Sequence, residues 1–317
     1  MWEGGIPDVI RLLPTPRPNT VSASLSSFSN LLDNHAANLL GQGRLEEALS
    51  AATSALSGLR EAVEDDPAEQ PRLFTGLQVL AEIQREMGDV AGSEASYGEA
   101  LEISGRATIP ANEVAHVRTQ LATLLDFSQR EAEAIPLYEQ AISDYEALTP
   151  ANEETAAQLR NNLAMIYKGL GKFALAEQHY LRALETLEAK RGRETEEVAS
   201  VYNNLGSLYY TAGFPDQAKE MFTEALQIRT KLLGPDHPDV AQSHCNLATS
   251  NHELGDNAAS IRDFEQSLRI LELHLADEAV SYEAVSLDYI ALLENQGEDK
   301  KAAAARKRLD KMLATLD

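Results

Sequence analysis

A segment repeated at a fixed interval constrains this chain more than any other feature. Asn-Leu-Gly at 204–206 returns as Asn-Leu-Ala at 246–248, and Phe222 returns as Phe264, in both cases 42 positions later. A constant period of this size is the sequence signature of a repeat architecture, in which similar units stack on one another. The chain is therefore predicted to be a row of structural repeats.

Each repeat is predicted to contain two helices. In the first helix, apolar residues recur at the spacing of one helical face, as in Tyr202, Leu205 and Tyr209. The second helix carries a small, an aromatic and another small residue, so that helix backbones approach closely and the ring fills the gap beside them. We expect this set to pack inside the protein: Ser93/Tyr97/Ala100, Ala134/Tyr138/Ala141, Ala176/Tyr180/Ala183, Ala218/Phe222/Ala225 and Ser260/Phe264/Ser267.

A glycine marks the turn between the two helices of a repeat, because glycine accepts positive φ without strain. The turn positions are Gly43, Gly88, Gly171, Gly213, Gly255 and Gly297, and Gln129 takes the place once. The predicted fold is an all-α solenoid of about seven helix-turn-helix repeats over residues 29–317, with the last repeat acting as a cap. The repeats begin near Ser29, Phe74, Ala115, Ala157, Ala199, Ala241 and Glu283.

Residues 1–28 differ from the rest because prolines interrupt any helix and a serine-rich stretch follows. They are predicted to form a flexible tail. The alternative is a docking or self-inhibitory segment that lies on the protein's own binding face, since residues 6–13 are mildly apolar.

The charge balance limits the classes of partner. With 27 Lys and Arg against 50 Asp and Glu, the net charge is −23, and a field of that sign repels nucleic acid and anionic lipid. Cys245 is the only cysteine, so folding needs no oxidising compartment. The sequence shows neither a secretory signal nor an apolar run long enough to cross a bilayer. A cytoplasmic location without membrane insertion is the expectation.

No constellation of residues predicts chemistry. His244, Cys245 and His252 share one predicted helix, but their spacing does not bring them to one face as metal ligands require. No phosphate-binding glycine motif or nucleophile elbow occurs. The sequence therefore predicts no catalytic site, no metal and no cofactor.

The repeat pattern resembles the tetratricopeptide repeat. The 42-residue period, Asn-Asn-Leu-Ala at 161–164 and Leu-Gly-Pro-Asp-His-Pro-Asp-Val-Ala at 233–241 are similar to the kinesin-light-chain and nephrocystin type. This resemblance implies a right-handed superhelix in which the first helices line a concave groove. It also implies that the groove recognises extended peptides or partner helices.

A column of carboxamides falls on the side of the first helices that lines the groove in this family. Gln120, Asn162, Asn204 and Asn246 are each 42 positions apart, and Asn161 and Asn203 run beside them. The resemblance implies that the column contacts the backbone of a bound peptide, for which an amide that both donates and accepts is suited. Alternatively, these amides bond to neighbouring helix ends and stabilise the stack.

Two further residues are predicted on the groove side. Lys168 lies in a segment, 156–197, that carries seven basic residues against six acidic ones, and Arg118 and Arg160 sit where they could reach inward. These charges favour an acidic or C-terminal peptide segment, although an ordinary solvated helix face would look the same. Tyr210 would offer an apolar pocket for a ligand side chain.

The sequence thus predicts a non-catalytic scaffold or adaptor for protein–protein interaction, with a peptide or partner helix in the concave groove. The alternative is a structural protein that self-assembles into a homo-oligomer through the ends or faces of its solenoid.

Overall fold

A computed structural model of the chain describes residues 31–315, with side chains described from residue 35. The chain divides into two compact units, an N-terminal unit that ends at Ile166 and a C-terminal unit that begins at Tyr167. Within the described residues the regular structure is helical throughout, without a strand. No helix in that range is both long and apolar enough to span a membrane.

The N-terminal unit is a succession of helices joined by short turns, with a 3-10 turn at Pro67–Glu69. Its helices are α1 (Leu31–Gly41), α2 (Leu45–Asp65), α3 (Gln70–Glu86), α4 (Val90–Ser104), α5 (Ala111–Phe127), α6 (Glu131–Ala147) and the greater part of α7 (Glu153–Gly169). From α1 to α6, each helix packs against the next one along the chain.

The C-terminal unit continues in the same manner from the end of α7. Its helices are α8 (Phe173–Arg191), α9 (Glu196–Thr211), α10 (Pro215–Leu233), α11 (Pro238–Glu253), α12 (Asn257–Leu273), α13 (Leu275–Asn295) and α14 (Asp299–Leu313). Successive helices pack from α8 to α14, and the first helices α9 and α11 also contact each other.

These helices confirm the predicted fold class, an all-α solenoid of helix-turn-helix repeats. The described residues hold fourteen α-helices, which alternate along the chain as first and second helices. The tail predicted over residues 1–28 lies outside the described residues. The division of residues 29–317 into repeats with the boundaries given above stays a proposal.

The turns between paired helices lie where the repeat pattern puts them. Gly213 has φ 84°, and each of the other five turn glycines also has a positive φ. Gln129 adopts φ 59° in the same place, and it is the one non-glycine residue with positive φ in the described part of the chain. The prediction that Gln129 replaces the turn glycine is therefore confirmed.

The small–aromatic–small pattern of the second helices forms the packed interior, as predicted. Ala218, Phe222 and Ala225 of α10 are all fully buried, and the corresponding residues of the other repeats are buried as well. Gly206 of α9 lies so close to the ring of Phe222 that even a methyl group there would collide with it. The first and second helices of this repeat are thus in near-backbone contact.

Candidate binding surface

The side of α9 that was expected to line a groove is enclosed. Every residue of α9 from Val198 to Leu208 is buried, and Asn203 and Asn204 are only 2% and 0% exposed. A helical wheel assumes one packed face, whereas α9 packs against α8 and α10 and also contacts α11. These amides are therefore not exposed in the described structure, and their contact with a peptide stays a prediction.

The amides join successive repeats to each other. Nδ2 of Asn246, on α11, donates to Oδ1 of Asn203, on α9, at 2.8 Å, and both side chains are buried. Their 43-residue separation is one repeat plus one position, so the bond joins the two columns of amides. The alternative foreseen from the sequence, amides that stabilise the stack, describes this pair, although its partner is another amide and not a helix end.

Two hydrogen bonds, each with at least one partly exposed partner, also connect the first helices of the C-terminal unit. Nζ of Lys168, at the end of α7, donates to Oγ of Ser207 on α9 at 2.8 Å. The hydroxyl of Tyr210 on α9 donates to Oε1 of Glu253 on α11 at 3.3 Å. Burial and the neighbouring carboxylates raise the pKa of Tyr210 to about 12. The hydroxyl of Tyr210 is thus hydrogen-bonded, and its role in an apolar pocket for a ligand side chain stays a prediction.

In the N-terminal unit the predicted site residues form local contacts. Nε2 of Gln120 lies 3.4 Å from Nε2 of His116, one helical turn earlier on α5. Nδ2 of Asn161 donates to Oδ1 of Asn162 at 3.3 Å, and both are buried. Each of these two contacts therefore joins residues of a single helix.

Arg118 and Arg160, which could reach the groove side, both form ion pairs with carboxylates. Arg118 forms an ion pair with Asp144, and Nη2 of Arg160 donates to Oε1 of Glu146 at 2.6 Å. Both acceptors belong to the second helix α6. Because these carboxylates neutralise the guanidinium groups, the positive charge inferred for the groove is smaller than the sequence suggests.

A buried arginine that the sequence did not reveal ties three helices of the C-terminal unit together. Arg229 on α10 is 0% exposed, and its Nε lies 3.1 Å from Oε1 of Glu196 at the start of α9. Its Nη1 donates to Oγ of Ser243 on α11 at 3.2 Å. Burial raises the pKa of Glu196, while Arg229 acts in the opposite direction. The partners are 33 and 14 residues from Arg229, so local sequence patterns carry no sign of them.

A second missed residue lies on the extension of the amide column. Asp288 on α13 is 42 positions after Asn246 and is half-buried. Burial raises its pKa to about 6, and its charge in turn raises the pKa of Tyr210 and of Cys245. The 42-residue interval could therefore have pointed to Asp288 in the sequence, although the residue type changes from amide to carboxylate.

Of the three residues considered as metal ligands, the two histidines have separate partners. Nδ1 of His244 lies 2.9 Å from Oδ1 of Asp263, and Nδ1 of His252 lies 3.1 Å from Oδ1 of Asn257. Cys245 is buried, which raises its pKa to about 12. Among residues 31–315 no group of three His, Cys, Asp or Glu side chains could hold a metal ion.

Comparison with known proteins identifies the repeats. A tetratricopeptide repeat family model matches residues 155–231 and again residues 197–272. The crystal structure of BtubC (BKLC) from P. vanneervenii is 33% identical in sequence, with a TM-score of 0.59, over 71% of this chain and 90% of that one. The chain belongs to the tetratricopeptide repeat family, in its kinesin-light-chain-like type.

Other solved structures share the fold of this tetratricopeptide repeat protein at lower identity. The apo form of RapI is 16% identical, with a TM-score of 0.66, over 90% of this chain and 76% of that one. Kinesin-light-chain TPR-like repeats from Podosopora anserina are 20% identical, with a TM-score of 0.55, over 64% and 95%. None of the curated proteins searched matches the sequence. The family supports a general role as a protein–protein interaction scaffold.

Proposed function

We propose that this tetratricopeptide repeat protein is a non-catalytic adaptor that binds an extended peptide or a helix of a partner protein along its first helices. In this proposal the binding part is the row of repeats predicted over residues 29–317, and it excludes residues 1–28, for which the sequence predicts a tail. A cytoplasmic location fits the single cysteine, Cys245, which is buried and unpaired.

The observation that carries this proposal is the polar connection between successive first helices of the C-terminal unit. One hydrogen bond joins Lys168 to Ser207, and another joins Tyr210 to Glu253, at separations of 39 and 43 residues. Each bond spans about one repeat and involves a partly exposed side chain. Such bonds exchange readily with those of a ligand, because a surface hydrogen bond contributes only about 1 kcal/mol net.

The chemistry of these groups suits a polypeptide ligand. An ammonium group such as that of Lys168 can form a charge-assisted hydrogen bond with a side-chain or C-terminal carboxylate. The phenol of Tyr210 and the carboxylate of Glu253 can accept from peptide N–H groups. The buried pair Asn203–Asn246 lies on the same two helices and fixes their spacing. An acidic or C-terminal segment at Lys168 remains the favoured ligand.

Affinity capture with the purified chain tests this proposal. The variant Lys168→Glu/Tyr210→Ala is expected to lose partner proteins that the wild type retains, while its helicity by circular dichroism stays unchanged. Lys219→Glu is a matched charge reversal on a second helix, α10, and is expected to retain them. If both variants retain the same partners, the first helices are not the binding surface.

Light scattering on the purified chain distinguishes self-assembly, the alternative function, from peptide binding. A stable oligomer that survives dilution and that Lys168→Glu/Tyr210→Ala leaves intact would favour the structural role.

A further inference from the structure

The outward face of α13 differs from the first helices before it because it is apolar. Val280 is 82% exposed and Leu287 is 47% exposed, and Ala284 and Ala291 are also at least partly exposed. At 100° per residue these four side chains fall within about 60° of one another and form a stripe. The opposite side of α13 is packed, with Tyr282 and Val285 buried. The stripe begins just after a break in the helix at Glu278.

Carboxylates lie on both sides of this stripe. On one side Glu283 is exposed and Glu294 is bound to Arg306 at 2.8 Å. On the other side Asp288 lies about 40° beyond the stripe on the helical wheel. In the described part of the chain, neither Glu283 nor Asp288 forms an ion pair. The face is therefore an apolar strip with an acidic border.

The acidic border on the Asp288 side continues onto the preceding first helices. Asp288 is close enough to Tyr210 on α9 for its charge to act on the phenol, and Tyr210 donates to Glu253 on α11. Neither Asp288 nor Glu253 has a Lys or Arg partner among residues 31–315. One carboxylate thus accepts from the phenol of Tyr210 and a second one acts on its charge, and neither is paired with a cation in the described part of this unit.

We propose that this acidic-bordered apolar face, made of Val280, Ala284, Leu287, Ala291 and Asp288, binds an amphipathic helix of a partner protein whose own apolar stripe is flanked by Lys or Arg. The inference rests on the proposed function, in which a partner binds along the first helices. It adds which kind of partner segment would bind at the last of these helices, α13. Apolar anchors spaced at i, i+4 and i+7 match the stripe in the helix-in-groove mode of recognition. Basic flanks meet the carboxylates, which steer and orient the incoming helix. The same border repels an anionic lipid surface.

Selection of a displayed library of helical peptides for binding to the full chain tests this inference directly. Each peptide has about 16 residues, with leucine fixed on one stripe and the flanking positions randomised. Lys and Arg are expected to be enriched at the flanks of the selected peptides. Asp288→Lys is expected to weaken the selected peptides about tenfold, as is Leu287→Glu. Asp288→Lys is also expected to recover binding of peptides in which the matching flank is changed to Glu, a charge swap that a folding defect cannot imitate.

The matched control is Leu273→Glu, because Leu273 is 60% exposed on α12 and lies outside the stripe. It is expected to leave the selected peptides bound. If peptides are enriched but Asp288→Lys leaves their affinity unchanged, this inference fails while the proposed function stands. If no helical peptide is enriched, this inference fails, and the capture experiment with Lys168→Glu/Tyr210→Ala still decides the proposed function.

Two further outcomes would assign the face to another occupant and overturn the proposal. Binding that rises in Arg11→Glu would mean that the chain's own segment, in which Arg11 is flanked by Ile10 and Leu12, occupies the face. A dimer that Leu287→Glu dissociates in light scattering would mean that the occupant is a second copy of the chain.

Discussion

Gly206 and Phe222 hold the two helices of one repeat at the shortest distance that their side chains allow. A Cβ at position 206 would lie 2.6 Å from both Cδ1 and Cε1 of the Phe222 ring, well inside van der Waals contact. Phe222 is 0% exposed and cannot move into solvent. Because packed interiors yield little, the added methyl group must displace the ring or separate α9 from α10.

Gly206→Ala is therefore expected to destabilise the protein by about 1–3 kcal/mol, despite the better helix propensity of alanine. Gly58→Ala is the control, since Gly58 is an exposed residue of α2 with nothing within 4 Å of its Cβ position. That change is expected to stabilise by about 0.5–1 kcal/mol. Chemical denaturation measures both effects. Equal effects of the two substitutions would show that the close approach does not matter.

The opposite substitution, of a residue with a Cβ by glycine, can be tested at the turn that contains Gln129. It has φ 59°, a conformation that costs a residue with a Cβ about 1–2 kcal/mol. Gln129→Gly is therefore expected to raise the free energy of unfolding by about 1 kcal/mol, less the extra entropy of glycine in the unfolded chain. Gly213→Gln places the same side chain at φ 84° and is expected to lower it. A loss of stability in Gln129→Gly would mean that the glutamine side chain stabilises this turn.

The turns and the packed residues were predictable because each depends on local chemistry that recurs. A positive φ favours glycine at the turn of each repeat. A buried aromatic such as Phe222 needs small neighbours in the second helix of each repeat. The enclosure of Asn203 was not predictable in this way. A helical wheel orders the residues of one helix, whereas the burial of Asn203 depends on how α11 lies beside α9.

The same limit explains the missed ion pair. Arg229 lies near the end of an otherwise ordinary amphipathic helix, and nothing close to it in sequence indicates that it is fully buried. Its partner Glu196 belongs to the preceding helix. Asp288 was predictable in part, because the 42-residue interval marks its position but not its burial.

The pair of Arg229 and Glu196 predicts an asymmetric response to substitution. Arg229 is fully buried, whereas the side chain of Glu196 is 38% exposed. Glu196→Gln leaves a buried guanidinium without its counter-charge and is expected to cost about 3 kcal/mol. Arg229→Met removes the fully buried charge itself and leaves Glu196, whose side chain is 38% exposed, so it is expected to cost less.

Glu197→Gln is the matched control for this pair, because Glu197 is also in the first turn of α9 but pairs with the partly exposed Arg191. Its effect is expected to stay below about 1 kcal/mol. Urea unfolding of the three variants gives the comparison. A larger loss from Arg229→Met than from Glu196→Gln would contradict the argument from burial.

The amide pair predicts coupling between repeats. Asn246→Ala and Asn203→Ala each break the 2.8 Å bond, and each leaves a buried amide without that partner. Each single change is expected to cost about 1–3 kcal/mol, and the double change less than the sum of the two. Additive losses in a double-mutant cycle would show that the two amides stabilise their helices independently.

Asp288 predicts a pH-dependent stability. Its pKa rises from the usual 3.8 to about 6 because burial disfavours the charged form. A carboxyl group with a raised folded-state pKa destabilises the protein once it ionises, so the penalty is absent below the unfolded-state pKa and complete above the folded-state one. Asp288→Asn is therefore expected to stabilise the protein by about 1 kcal/mol at pH 8 and by little at about pH 4. The value at pH 8 is small because solvent screens the charge of a half-buried group.

Thermal melting of the wild type and Asp288→Asn at both pH values isolates this effect, because other groups that titrate over the range cancel in the difference. Glu283→Gln is the control, since Glu283 is an exposed carboxylate on the same helix. A stabilisation by Asp288→Asn of equal size at both pH values would mean that removal of the ionised form is not its cause. Asp288 would then resemble the buried amides that precede it in the column, and its charge would have no part in stability.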